Sequence, residues 1–171
     1  MQLGAYRNTI VISGLWFITD GLFLNQGLFS ILWLLLSAPV LLVLLVWGKV
    51  RDQRKKPSNW RMKAAKVLVF SLAAACVLVS IRLNNDMAGR RAERLATACE
   101  QFNAKYHRYP HKLEELVPEF LPAVPLAKYV LNGQSAHFVY LEGDRTIMFY
   151  DVPPFGRSYY HLGSRWWGHM D

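Results

Sequence analysis

The sequence predicts a membrane α-helical N-terminal part followed by a small α+β extracytoplasmic domain in which a long spine helix packs on an antiparallel sheet. Three observations predict it. Two apolar runs, Leu28 to Trp47 and Ala64 to Leu83, each span twenty residues, the length that crosses a hydrocarbon core of about 30 Å. From Ala88 onward apolar residues recur at helical spacing. Beyond Pro125 the chain breaks into short β-branched and aromatic segments separated by turn residues, as in a small sheet.

Charge divides the chain at the same place. Residues 1–83 hold ten basic and two acidic residues, and residues 84–171 hold ten of each. The excess of +8 therefore belongs to the membrane half, where it reports topology and not nucleic-acid binding. We take 1–83 as the transmembrane domain and 84–171 as the outer domain.

Residues 10–24 are apolar but short, carry Asp20 and form a marginal span or a re-entrant arm. Asn25, Gln26 and Gly27 read as a tight break, because Gly permits left-handed dihedrals and Asn tolerates them. The span at 28–48 contains Pro39, which removes one helical hydrogen bond and leaves a carbonyl for a neighbour or Ser37. Residues 49–63 carry Lys49, Arg51, Arg54, Lys55, Lys56, Arg61 and Lys63 against Asp52 alone, so this loop is cytoplasmic. The span at 64–83 presents Ser71 and Ala75 at four-residue spacing, small residues that admit a close helix, either the 28–48 span or a second copy. With three spans, Asp20 and Arg82 fall at similar depth and are a candidate intramembrane ion pair.

Ala88, Ala92, Leu95, Cys99, Phe102 and Tyr106 recur at spacings of 4, 3, 4, 3 and 4, one apolar stripe on a helix that ends before Pro110. Asn84 to Gly89 are poor helix formers and the expected place for a break. A short helix over Leu113 to Val117 then passes into a proline-rich connector. Ala136 to Leu141 and Arg145 to Asp151 flank Glu142, Gly143 and Asp144 as a hairpin, with Lys128 to Leu131 and Arg157 to Leu162 as outer strands. We group Phe138, Tyr140, Ile147 and Phe149 on one face. The candidate protein-interaction face is Phe138, Tyr140, Phe149 and Tyr150 with the tail residues Trp166 and Trp167.

The run from Leu95 to Pro125, LATACEQFNAKYHRYPHKLEELVPEFLPAVP, resembles the head domain of type IV pilins and type II secretion pseudopilins. It shows a spine helix, an aromatic-Pro stop at Tyr109-Pro110, a Leu-Glu-x-Leu-Val-Pro turn and an x-Leu-Pro-x-x-Pro connector. The resemblance implies a pilin-like fold and a bacterial inner-membrane, multi-pass protein with its C-terminal domain in the periplasm. The leader Gly and the Glu within the span that pilins carry have no counterpart at Asn59 to Ala65, so we expect a fixed anchor and not a filament subunit.

No nucleophile elbow, phosphate-cradling Gly-rich loop or His/Cys cluster with ligand spacing occurs. His107 and His111 straddle Pro110, so one helix cannot present both to a metal. We therefore expect no enzyme activity, cofactor or metal. The expected partners are the lipid bilayer and other membrane or periplasmic proteins, with no nucleic acid; Cys76 and Cys99 read first as small buried residues, with a Cys99 bridge between two copies of a homo-oligomer as the alternative. Two functions follow: an assembly, scaffold or accessory component of a secretion or pilus-type envelope machine, or a membrane-tethered periplasmic binding module of immunity or receptor type. A transporter needs more intramembrane polar residues than Asp20, Lys66 and Arg82.

Overall fold

The computed structural model describes residues 6–54, 59–131, 133, 136–141, 147–153 and 156–170. The chain divides into two compact units, Met1–Ile81 and Arg82–Asp171. Helix α1 (Arg7–Trp16) continues as a π-helical segment (Phe17–Leu24), followed by α2 (Leu28–Gln53) and α3 (Trp60–Tyr106). α3 supplies residues to both units. A 3₁₀ turn (Leu113–Leu116) precedes strands β1 (Val139–Leu141), β2 (Ile147–Val152), β3 (Gly156–His161) and β4 (Trp166–Met170).

In the first unit the usual burial pattern is inverted. Thr9, Ser13, Asp20, Asn25, Ser30 and Ser37 are buried, whereas Ile10, Leu15, Leu32, Leu35, Leu36, Leu42 and Leu72 are exposed. Small polar side chains let the helices approach, and the long aliphatic ones face outward. α2 and α3 are both long and apolar enough to cross a membrane. Trp16, Trp33 and Phe70 meet as an aromatic cluster, with centroids 5.5–6.4 Å apart, so each of the three helical segments contributes one ring. The break at residues 25–27 forms as expected: Asn25 (φ 51°) and Gly27 (φ 68°) are left-handed. Gly27 is further constrained, because a Cβ there would lie 2.9 Å from Leu78 Cδ2 and 3.0 Å from Ile81 Cδ1.

The buried positions of α3 in this unit are Ala64, Ala74, Val77 and Ile81. Ser71 and Ala75 flank that stripe half-buried, and the Ser71 hydroxyl donates to its own helix at Val67 O (2.9 Å). Ser37 likewise donates to Leu34 O (3.0 Å), one residue away from the carbonyl that Pro39 frees.

The second unit is α+β. Its core joins Ala88, Ala92, Leu95, Ala96, Cys99 and Phe102 of α3 to Leu113, Leu116, Ala127, Phe138, Met148, Tyr150 and Leu162. The predicted stripe thus forms as far as Phe102. Tyr106 is exposed; its ring stacks on Phe102 (4.7 Å) and its hydroxyl donates to Glu119 Oε2 (2.9 Å). Residues 84–89 stay helical. α3 ends at Tyr106, with His107 left-handed (φ 56°), so the helix stops earlier than the steric effect of Pro110 alone requires. Leu95, fully buried, contributes about 1.5–3 kcal/mol by leaving water.

The sheet is an antiparallel meander in the order β1-β2-β3-β4. Tyr140 pairs with Met148, Met148 with Tyr160 and Tyr160 with Trp167; on the opposite face Val139 pairs with Phe149, Phe149 with Tyr159 and Tyr159 with Gly168. This corrects two expectations. The residues after Arg165 are a strand and not a covering tail, and Phe138 and Tyr140 share their face with Met148 and Tyr150, not with Phe149. Lys128 to Leu131 is irregular. The expected hairpin turn, Glu142 to Asp144, lies outside the described residues. At Gly168 a Cβ would come within 2.4 Å of Tyr159 Cζ. The Tyr159 and Trp166 rings, 5.4 Å apart, therefore lie across a bare stretch of backbone that only glycine leaves open.

Candidate interaction surfaces

The six residues expected to form one interaction face fall on two. Phe138 and Tyr150 are core residues, each 8% exposed, and Tyr140 reaches from the same face to donate its hydroxyl to Pro110 O (2.6 Å). Trp167 shares that face by register and packs on Tyr160 (5.0 Å) and Tyr150 (6.3 Å). Phe149 and Trp166 lie on the outer face. The physical reason is the register: successive strand residues alternate faces, so Phe149 and Tyr150 cannot share one.

The outer face is apolar at its flanks and charged in one place. Val139, Leu141, Trp166 and Met170 are exposed. Toward the Val152–Gly156 end of this face Asp151 and Arg157 are cross-strand partners, with Arg157 Nε 3.4 Å from Asp151 Oδ1. The Arg157 guanidinium also lies over Phe149, 5.2 Å from its centroid.

The connector that leads to this sheet is pinned by two polar residues of α3 that lie along the edge of the apolar stripe. Asn84 Nδ2 donates to Tyr129 O (3.2 Å), and Tyr129 N–H donates to Asn84 Oδ1 (3.3 Å). Two turns along the helix, Arg91 donates to Leu126 O (3.0 Å) and stacks on the Tyr129 ring (4.4 Å). Asn84 and Arg91 are seven apart and so share a helix face; that spacing was the available signal for both. At the other end, Tyr109 donates to Leu162 O (2.9 Å). Glu115 accepts from the His111 and Lys112 amides (2.9 and 3.2 Å) and pairs with Arg108 (2.9 Å).

Lys128 is the one lysine among the buried residues of the described chain, 1% exposed, and its Nζ has no hydrogen-bond partner. Burial pushes its ammonium down to about 8, with the Asp151 carboxylate pulling the other way. Cys99 is fully buried, and burial, with Glu100 adding to it, pushes its thiol up to about 12.

In the first unit Asp20 is 2% exposed. Its Oδ2 accepts from Ser30 N–H (3.0 Å) and Ser30 Oγ–H (2.5 Å), and Trp16 Nε1 donates to Ser30 Oγ (3.2 Å). Ser30 lies in the first turn of α2, whose N-cap Gly27 has no side chain. Asp20 thus caps that helix from another segment and places a carboxylate at the positive end of its dipole. The expectation for Asp20 named Arg82, which is exposed and belongs to the other unit; the partner seen within its own unit is Ser30. Asp20 also lines an apolar cavity of about 340 Å³ with Ile12, Leu15, Trp16 and Phe29.

Among the described residues no group of three or more His, Cys, Asp or Glu side chains is placed to hold a metal ion. These surfaces define a chain with two membrane-length apolar helices and an α+β unit whose polar residues brace its connector. No protein-family model, curated protein or solved structure matches it.

Proposed function

We propose that this protein is a non-catalytic component, of assembly, scaffold or accessory type, of an envelope machine resembling those of secretion or pilus systems. It is held in a bacterial inner membrane with its pilin-like α+β unit in the periplasm. The observation that carries this reading is that one helix, α3, contains both a membrane-length apolar run and the spine of the α+β core. The inverted burial of the first unit supports a lipid environment for it, and the seven basic residues of 49–63 support a cytoplasmic loop. The long helix packed on an antiparallel meander after a proline-rich connector supports the pilin-like reading.

Cysteine accessibility in intact cells and spheroplasts tests the topology: positions in 49–63 are expected to label only from the cytoplasm, and positions in 156–170 only from the periplasm. Purification from membranes in mild detergent tests the role. Membrane proteins of a secretion or pilus platform are expected to copurify; one soluble ligand with no such protein would replace this reading with the membrane-tethered binding module.

A further inference from the structure

A groove of about 320 Å³ runs along one flank of the α+β unit, open on one side, between α3 and the last two strands. The helix contributes Glu93, Thr97 and Glu100, spaced so that they share a face. The sheet contributes Tyr160 and Trp167, cross-strand partners with ring centroids 5.0 Å apart. Arg165 closes one end, where its Nη2 lies 2.7 Å from Glu100 Oε2 as an ion pair.

We propose that this groove binds the cationic side chain, arginine or lysine, of a partner polypeptide. Its charges are unbalanced. Glu100 already has Arg165 as counter-ion, whereas Glu93 is exposed and makes no ion pair among the described residues, so the lining carries one uncompensated negative charge. The aromatic wall adds to this, since the face of a Trp or Tyr ring attracts a cation within about 6 Å. Glu93 and Glu100 are separated by about 10 Å of helix rise and bring no further oxygen ligands, which does not suit calcium or magnesium. Because the groove is open along one side, a side chain enters while its own backbone stays outside. The inference concerns the α+β unit alone and holds whether or not the apolar helices lie in a membrane.

The test is titration of the full chain in detergent micelles, with indole-¹⁵N tryptophan, by N-acetyl-arginine amide. The Trp167 indole signal, assigned through Trp167→Phe, is expected to shift saturably while that of Trp166 does not. The neutral isostere N-acetyl-citrulline amide should bind at least tenfold more weakly, and Glu93→Gln should weaken the arginine probe tenfold or more. Thr97→Phe, which fills the groove, should abolish the shift. An unsaturated or absent Trp167 shift, equal binding of the citrulline probe, or unchanged binding in Glu93→Gln would each overturn the proposal. Tetramethylammonium binding tenfold tighter than the arginine probe would also overturn it, assigning the groove to small free cations.

Discussion

Asn84 and Tyr129 exchange two hydrogen bonds, side-chain amide to backbone, across a sequence separation of 45 residues. Asn is a poor helix former, so Asn84→Ala should favour α3 locally by about 0.5 kcal/mol. It also removes both partners of the Tyr129 backbone, at about 0.5–1.5 kcal/mol each. The net expectation is a loss of roughly 1–2 kcal/mol in the α+β unit. Hydrogen exchange gives the local readout: the Tyr129 amide should lose protection in Asn84→Ala while the β2–β3 amides keep most of theirs.

Asp20 and Ser30 should behave as a coupled pair. Asp20→Ala and Ser30→Ala are each expected to destabilise the first unit by about 0.5–2 kcal/mol, the usual cost of losing a helix cap. The double variant should cost less than the sum. Asp20→Asn keeps an acceptor oxygen for Ser30 but not the charge that an ion pair with Arg82 would need. Retention of most stability in Asp20→Asn, followed by Trp fluorescence during unfolding in mixed micelles, would show that the cap outweighs any such pair.

Lys128 makes stability depend on pH with a definite sign. The unfolded chain holds the Lys128 proton up to about pH 10.5, the folded unit only up to about 8. Between these limits the unfolded state binds more protons, so stability rises with pH; the penalty is complete below about 8 and gone above about 10.5. Lys128→Met removes the penalty. It should stabilise the unit by up to roughly 3 kcal/mol at pH 7, and its advantage over the parent should shrink as pH rises past about 8 and be gone above about 10.5. Thermal unfolding of both proteins across pH 7–10.5 checks this; a difference that does not vary with pH would contradict it.

Cys99 should be inert in the folded protein. With no exposed surface and its thiol pushed up to about 12, almost no thiolate exists near neutral pH to react or to exchange disulfides. Maleimide modification of Cys99, located by mass spectrometry, is expected only under conditions that unfold the α+β unit. A Cys99 bridge between copies should likewise be missing from oxidised, non-denatured samples run without reductant.

The helical core of this unit is legible in the sequence because burial imposes a period: Ala88, Ala92, Leu95, Cys99 and Phe102 mark one face with polar residues between them. The break at residues 25–27 is legible from Asn and Gly chemistry alone. The sheet is only half legible. Phe138 to Leu141 is apolar on both faces, so no polar alternation sets the register, and Trp166 to Met170 has too little alternation to announce a strand. The pins are hidden for a different reason. Asn84 and Arg91 acquire their meaning from partners distant in the chain, and a polar residue beside an apolar stripe looks the same whether water or a backbone carbonyl satisfies it.

The Asp151–Arg157 pair has a consequence for how copies of this chain meet one another. It sits on the outer face of the sheet toward the Val152–Gly156 end of β2 and β3, beside exposed Met170 and on the same face as exposed Val139, Leu141 and Trp166. Two such faces cannot stack dry without stripping water from a charged pair on each, at a cost of several kcal/mol per ion. The same apolar surface that would drive sheet-on-sheet aggregation is thereby kept wet at one end, and crowding the protein does not by itself glue these faces together.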